Sequence, residues 1–190
     1  MADTRDALLS AASTLLAKEG PAALTVRRIA AEAGVSTMGV YSRFGGKDGV
    51  VDVLLREGFD DLSRAMDAVG ETDDPLADLR RCCRAYREFG ISNATRYRLM
   101  FEGTVPDFVP SEESISAASS SFDRLVVRVG RCIDAGALAP GDPTDIAASL
   151  WATSHGLISL ELSGRKPDTI GGDDPYERTM AALVRGFSPT

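Results

Sequence analysis

Between Thr25 and Lys47 the chain gathers side chains suited to binding phosphate and reading bases. Thr25, Ser36, Tyr41 and Lys47 supply hydroxyls and an ammonium group. Together with the free N–H groups of helix starts, these are common ligands of phosphate oxygens. Arg27 has the reach for either a base or a phosphate. Thr37, Met38, Gly39, Tyr41 and Arg43 are the positions that can reach DNA from a short helix whose start enters a major groove, where base edges are told apart. A second group, Trp151-Ala-Thr-Ser-His155-Gly156, sets an indole and an imidazole one helical turn apart on one face. His155 is the only histidine, which excludes a multi-histidine metal site, and Cys82, Cys83 and Cys132 lack metal-ligand spacing. No metal and no cofactor is expected.

Catalytic patterns are missing. Gly45-Gly46-Lys47-Asp48 lacks both the earlier glycine and the following Ser/Thr of a phosphate-binding loop. No Gly-x-Gly-x-x-Gly follows a strand, and no Gly-x-Ser-x-Gly occurs. The chain is not expected to be an enzyme.

The elements that must position the first group are two short helices and a tight turn. Thr25 is a good N-cap, because its hydroxyl accepts from an unpaired N–H of the first turn. Val26, Ile29, Ala30 and Ala33 then fall on one helical face. Gly34 stands where a helix ends in the left-handed conformation that glycine enters cheaply. Ser36 is the expected cap of the second helix, whose inner face is Val40 and Phe44. Helix, glycine turn and short helix make a helix-turn-helix.

At this point a family resemblance enters. The run Leu-Thr-x-x-x-Ile-Ala-x-x-Ala-Gly-Val-Ser-x-x-x-x-Tyr-x-x-Phe-x-x-Lys, here Leu24 to Lys47, resembles the DNA-binding segment of the TetR family of transcriptional regulators. The resemblance most strongly supports Tyr41 and Lys47 as phosphate contacts. Met38 departs from it, because many relatives carry glycine or another small residue there. A methionine can touch a thymine methyl but reads no donor–acceptor pattern. Trp151, His155 and Gly156 resemble the Trp-His-Gly signature of one C-terminal subtype in that family. The resemblance implies a homodimer joined through the last two long helices as a four-helix bundle. It also implies a small-molecule effector whose binding relieves repression.

Composition agrees with DNA contact at one end. The 190 residues are 44% hydrophobic, enough for a real core, and carry a net charge of −7. Residues 1–47 hold six Lys/Arg against four Asp/Glu, a net +2, which leaves −9 on the remainder. A mildly basic head on an acidic body suits local rather than wholesale contact with nucleic acid. The start of the chain has acidic residues and no apolar run of signal-peptide type, and no segment is apolar enough to span a bilayer. A cytoplasmic protein with no membrane partner is expected.

The expected fold class is all-α: a three-helix DNA-binding head at residues 1–46 and a helical effector-binding and dimerisation body at 47–190. Further helices are predicted over about 4–19, 47–69, 75–91, 93–101, 112–135, 143–162 and 175–186 from apolar residues at helical period and from Gly/Pro punctuation. The resemblance implies an effector pocket in the body, whose expected lining is the aromatic Tyr86, Phe89, Tyr97, Phe101, Phe122 and Trp151 with Met100 and, as a polar group, His155. An apolar stripe of Leu150, Leu157, Leu160, Met180, Leu183, Val184 and Phe187 is the expected dimer seam. The expected function is a repressor released from a double-stranded operator by a small apolar or aromatic effector. The alternative is control by a protein partner or by cysteine redox state.

Overall fold

The computed structural model describes residues 4–103, 105–164 and 174–189. The described residues form helices and connecting turns, with no strand among them. The order is α1 (Thr4–Glu19), a single 3-10 turn (Pro21–Ala23), α2 (Val26–Glu32), α3 (Thr37–Phe44), α4 (Lys47–Asp67), α5 (Pro75–Ser92), α6 (Ala94–Phe101), α7 (Glu112–Asp134), α8 (Pro143–Leu162) and α9 (Pro175–Gly186). The punctuation acts as the sequence suggests. Pro143 and Pro175 open α8 and α9, behind Asp142 and Asp174, whose carboxylates accept N–H groups of the first turn.

The helices pack as two compact units, Met1–Asp61 with Asn93–Ala118, and Leu62–Ser92 with Ser119–Thr190. Both α4 and α7 pass from one unit into the other along the chain. The packing boundary therefore lies inside α4, while residue 46 marks the end of the helix-turn-helix. The division into a head at 1–46 and a body at 47–190 is a functional proposal.

In the first unit, Leu8, Ala12, Ile29, Val40, Val50 and Val51 are at most 2% exposed and bring α1 to α4 onto one core. Leu99 of α6 and Val105 join it. Truncating such a core residue to alanine typically costs about 2–5 kcal/mol, so this core fixes how α3 is presented. Two glycines permit close approaches. A Cβ on Gly49 would lie 1.8 Å from the Phe44 carbonyl oxygen, so the first turn of α4 sits directly on the end of α3. A Cβ on Gly58 would lie 2.8 Å from the Met100 sulfur, and α6 rests on α4 at that point.

The second unit buries Leu62, Leu79, Val129, Leu138, Leu150 and Ile158. Among its described residues, the buried carboxylate of Asp78 accepts from the Thr72 N–H at 2.8 Å and the Thr72 hydroxyl at 2.7 Å. Arg81 pairs with it, and Arg131 reaches it at 3.2 Å. The Thr72 bonds, followed by the Arg131 and Arg81 guanidinium groups, hold this carboxyl below the usual carboxylate range. A depressed folded pKa means that the unfolded chain binds the proton more readily. The stability that Asp78 adds is present above the ordinary carboxylate pKa and is lost as pH falls below about 4. Thermal midpoints taken from pH 6 to pH 3 should fall more steeply in the parent than in Asp78→Asn. Equal slopes would remove Asp78 from the acid response.

Tyr176 pins α9. Its hydroxyl donates to the Cys83 carbonyl at 2.7 Å and lies 3.0 Å from the Ser154 hydroxyl, while the Arg87 guanidinium stands 5.0 Å from its ring centre. Arg87 also pairs with Glu161 near the end of α8 and with Asp174 at the start of α9.

Candidate nucleic-acid interface and body sites

The helix-turn-helix is assembled by its caps and its apolar face. The Thr25 hydroxyl accepts from the Arg28 N–H at 3.3 Å, as its N-cap role requires. Gly34 takes φ +69°, and the Val35 N–H returns to the Ala30 carbonyl at 2.9 Å, closing α2. Ser36 occupies the N-cap position of α3 with extended backbone, but its side chain makes no capping bond. Its hydroxyl and the first N–H groups of α3 stay available to an outside acceptor or anion. Gly45, at φ +71°, ends α3 with its N–H on the Tyr41 carbonyl.

Helical spacing sorts the side chains of α3. Val40 is fully buried and Phe44 packs half-buried against the core, one turn apart. Thr37, Met38 and Tyr41 are exposed, with Met38 farthest round from Val40, at 70%, and Tyr41 at 54% exposure. Thr25, Arg27, Ser36 and Arg43 are exposed, Gly39 is half-buried, and Lys47 is half-buried with its ammonium 3.4 Å from Asp48. Among the described residues, Arg27 and Arg43 have no carboxylate partner. Arg28 does: its guanidinium grips Glu19 at the end of α1, with Nη1 2.8 Å from Oε2. That pair holds α2 to α1 and explains why Arg28 is not a candidate reader.

The expected effector lining divides between the two units. In the first, Tyr97 and Met100 are buried, and Phe101 packs 4.7 Å from Tyr97 and 5.6 Å from Phe59. In the second, the Trp151 indole N–H donates to the Tyr86 hydroxyl at 3.2 Å. Phe122 meets Trp151 edge-on at 6.1 Å, and the His155 ring lies 6.0 Å from the indole. Tyr86, Phe122, Trp151 and His155 thus form one aromatic cluster across α5, α7 and α8, with Phe89 buried on α5. Trp151 remains 39% exposed.

The expected dimer seam divides by depth. Leu150, Met180 and Val184 are buried inside the single chain, because α8 and α9 pack on their own subunit through them. Leu157, Leu183 and Phe187 are half-buried, and Leu160 is half exposed. The outer side of α8 carries Ala148, Ala152, Gly156 and Leu160 at a spacing of four. Among the described residues a Cβ on Gly156 would meet nothing within 4 Å, so no close approach between them accounts for this glycine.

All three thiols are buried, and burial raises the pKa of each, to about 11 for Cys82 and Cys132. The Cys132 thiol points at the Pro75 carbonyl, 3.2 Å away. Among the described residues no group of His, Cys, Asp and Glu has the arrangement of a metal site, and no helix is long and apolar enough to cross a membrane.

In the head the two helices and the glycine turn were legible from the sequence, whereas the Gly49 contact, the Arg28–Glu19 pair and the uncapped Ser36 hydroxyl were not. Known proteins repeat its pattern. Residues 8–54 match the model described as bacterial regulatory proteins, tetR family, and residues 79–186 match a Tetracyclin repressor-like C-terminal domain. That description does not name the Trp-His-Gly subtype. The HTH-type transcriptional regulator Rv1816 of Mycobacterium tuberculosis strain H37Rv is 26% identical over 181 aligned residues, covering 79% of this chain and 76% of its own. The HTH-type transcriptional repressor KstR2 of Rhodococcus jostii RHA1 is 45% identical over 58 residues, covering 30% of this chain and 28% of its own. A solved structure from Rhodococcus sp. RHA1, described as of unknown function, superposes with a TM-score of 0.84 at 26% identity, over 100% of this chain and 97% of that one.

Proposed function

The chain belongs to the TetR family of bacterial regulatory proteins, and from that premise we propose a homodimeric repressor that a small apolar or aromatic effector releases from its operator. DNA binding through the helix-turn-helix comes with the family, which is one of transcriptional regulators and not of enzymes. The observation that carries the reading is the exposed side of α3. Met38 is a large apolar side chain left 70% in solvent beside Thr37 and Tyr41, on a helix anchored from behind by Val40. Thr37, Met38, Gly39 and Arg43 are assigned to base edges, and Thr25, Ser36, Tyr41 and Lys47 to phosphates. Arg27 is assigned to either. The protein works in the cytoplasm, where the operator is.

The effector site is assigned to the aromatic groups of the body, centred on Trp151 with Tyr86, Phe122 and His155. Phe89 is kept in the proposal as its apolar surround, while Tyr97, Met100 and Phe101 belong to the first unit and are not members of this cluster. Release is a population shift. The effector binds better to a form whose two recognition helices no longer match half-sites ~34 Å apart. Helix α4 is the proposed lever, since it follows α3 directly and its Gly49 seats on Phe44. Burial of all three thiols disfavours the competing reading of control by cysteine oxidation, because a thiol held neutral is a poor nucleophile.

The test starts with a pseudo-palindromic duplex selected from a random pool, which should bind two chains with an affinity that falls as salt rises. Trp151 is the only tryptophan, so its emission reports one place. A compound that releases the duplex should change that emission, and Trp151→Phe should shift the compound's affinity. Release with emission and affinity both unmoved would put the effector elsewhere.

A further inference from the structure

A cavity of about 470 Å³ opens in the second unit, lined by Asp67, Gly70, Glu71, Ser120, Asp123, Arg124, Val127 and Arg128. It contains none of the aromatic residues assigned to the effector. Its unusual member is Arg128. The side chain is 6% exposed, and no carboxylate lies within ion-pair distance of it among the described residues. Its Nη2 donates to the Met66 carbonyl at 2.9 Å and its Nη1 to the Arg124 carbonyl at 3.2 Å. The Nε–H is buried and has no acceptor. Of the five N–H donors of this guanidinium, two are used, the Nε–H is sealed from solvent, and one on each Nη atom remains open to an acceptor.

The other charges on the wall largely cancel. Arg124 pairs with Asp67 at 2.9 Å, and Glu71 lies 3.7 Å from Arg131. Two groups are left without an ionic partner among the described residues: the buried cation of Arg128 and the exposed carboxylate of Asp123. A simple anion would satisfy the first and be repelled by the second. A simple cation would meet the reverse. Ser120 adds a hydroxyl and Val127, 58% exposed, adds an apolar surface. We propose that this cavity is a second ligand site, which takes a small zwitterion bearing a carboxylate and an ammonium, of the amino-acid class. The carboxylate takes N–H groups of Arg128, the ammonium sits at Asp123, and a short aliphatic side chain lies on Val127. The site borders Asp67, the last residue of α4, and so touches the helix that begins directly after the recognition helix.

The experiment is calorimetric titration of the full chain with three probes of similar size: L-valine, isobutyrate and isobutylamine. L-valine should bind at least ten-fold more tightly than either single-charge probe. Asp123→Asn changes an exposed residue and should keep the thermal midpoint while weakening L-valine at least ten-fold. Arg128→Gln should abolish the binding, and Asp123→Asn guards the conclusion if that variant fails to fold. No heat with L-valine at tens of millimolar overturns the site. Equal binding of L-valine and isobutyrate, or an Asp123→Asn variant that binds as the parent does, overturns the zwitterion. None of these outcomes bears on DNA binding or on the aromatic effector cluster.

Discussion

Joint replacement of Tyr41 and Lys47 by alanine should lower affinity for every duplex by a similar factor, at least ten-fold at moderate salt. Both residues are assigned to phosphates, and a phosphate contact positions the protein without reading sequence. Loss of the Lys47 ammonium removes about one released counterion, so the slope of log affinity against log salt should become shallower by about 1 for each chain. Met38→Ala should behave differently. Its side chain is the most exposed large apolar group among the described residues of the head, so the change should redistribute preference among bases with little effect on the salt slope. Fluorescence anisotropy against a set of single-substituted duplexes over a salt series separates the two patterns. An unchanged slope in the Lys47→Ala variant would remove that residue from the phosphate set.

The second large effect is expected in assembly. Gly156 and Leu160 sit four apart on the outer side of α8, and both are exposed in the single chain. Glycine inside a helix costs roughly 1 kcal/mol against alanine. With open space over it among the described residues, a second copy of the chain approaching there is the reason proposed for keeping it. Gly156→Tyr combined with Leu160→Glu should therefore leave the subunit folded, with helical content intact. It should convert dimers to monomers in sedimentation at micromolar concentration. Operator affinity should drop at least a hundred-fold, because one recognition helix spans a single half-site. A variant that still sediments as a dimer would move the interface off this face of α8. Leu157 and Leu183 are poorer choices, since both are half-buried in their own subunit and a charge there would confound folding with assembly.

The helix-turn-helix was legible because its signals are local. A threonine cap, a left-handed glycine and apolar residues one turn apart each act within a few positions, so the order of residues contains the geometry. The same holds for the starts of α8 and α9, where an aspartate precedes a proline. The body was legible only as a set of helices. Periodicity marks which face of a helix is apolar but not what covers it. Leu150, Met180 and Val184 looked like a seam between copies, yet tertiary packing turns them into their own subunit and leaves Gly156 and Leu160 outside. The eight candidate effector residues looked like one group, yet folding deals Tyr97, Met100 and Phe101 to the first unit and the Trp151 cluster to the second. Ser36 was legible as a cap by position, but whether its hydroxyl closes on the helix depends on a side-chain geometry that spacing does not encode. Arg128 carried no signal at all, because a buried cation without a counter-ion is defined by residues far apart in the chain. The sequence by itself determined the family, the all-α class and the N-terminal helix-turn-helix. Only the tertiary structure decided which apolar faces are spent inside the subunit and which charges are left unpaired, since burial and ion pairing arise from contacts between distant segments.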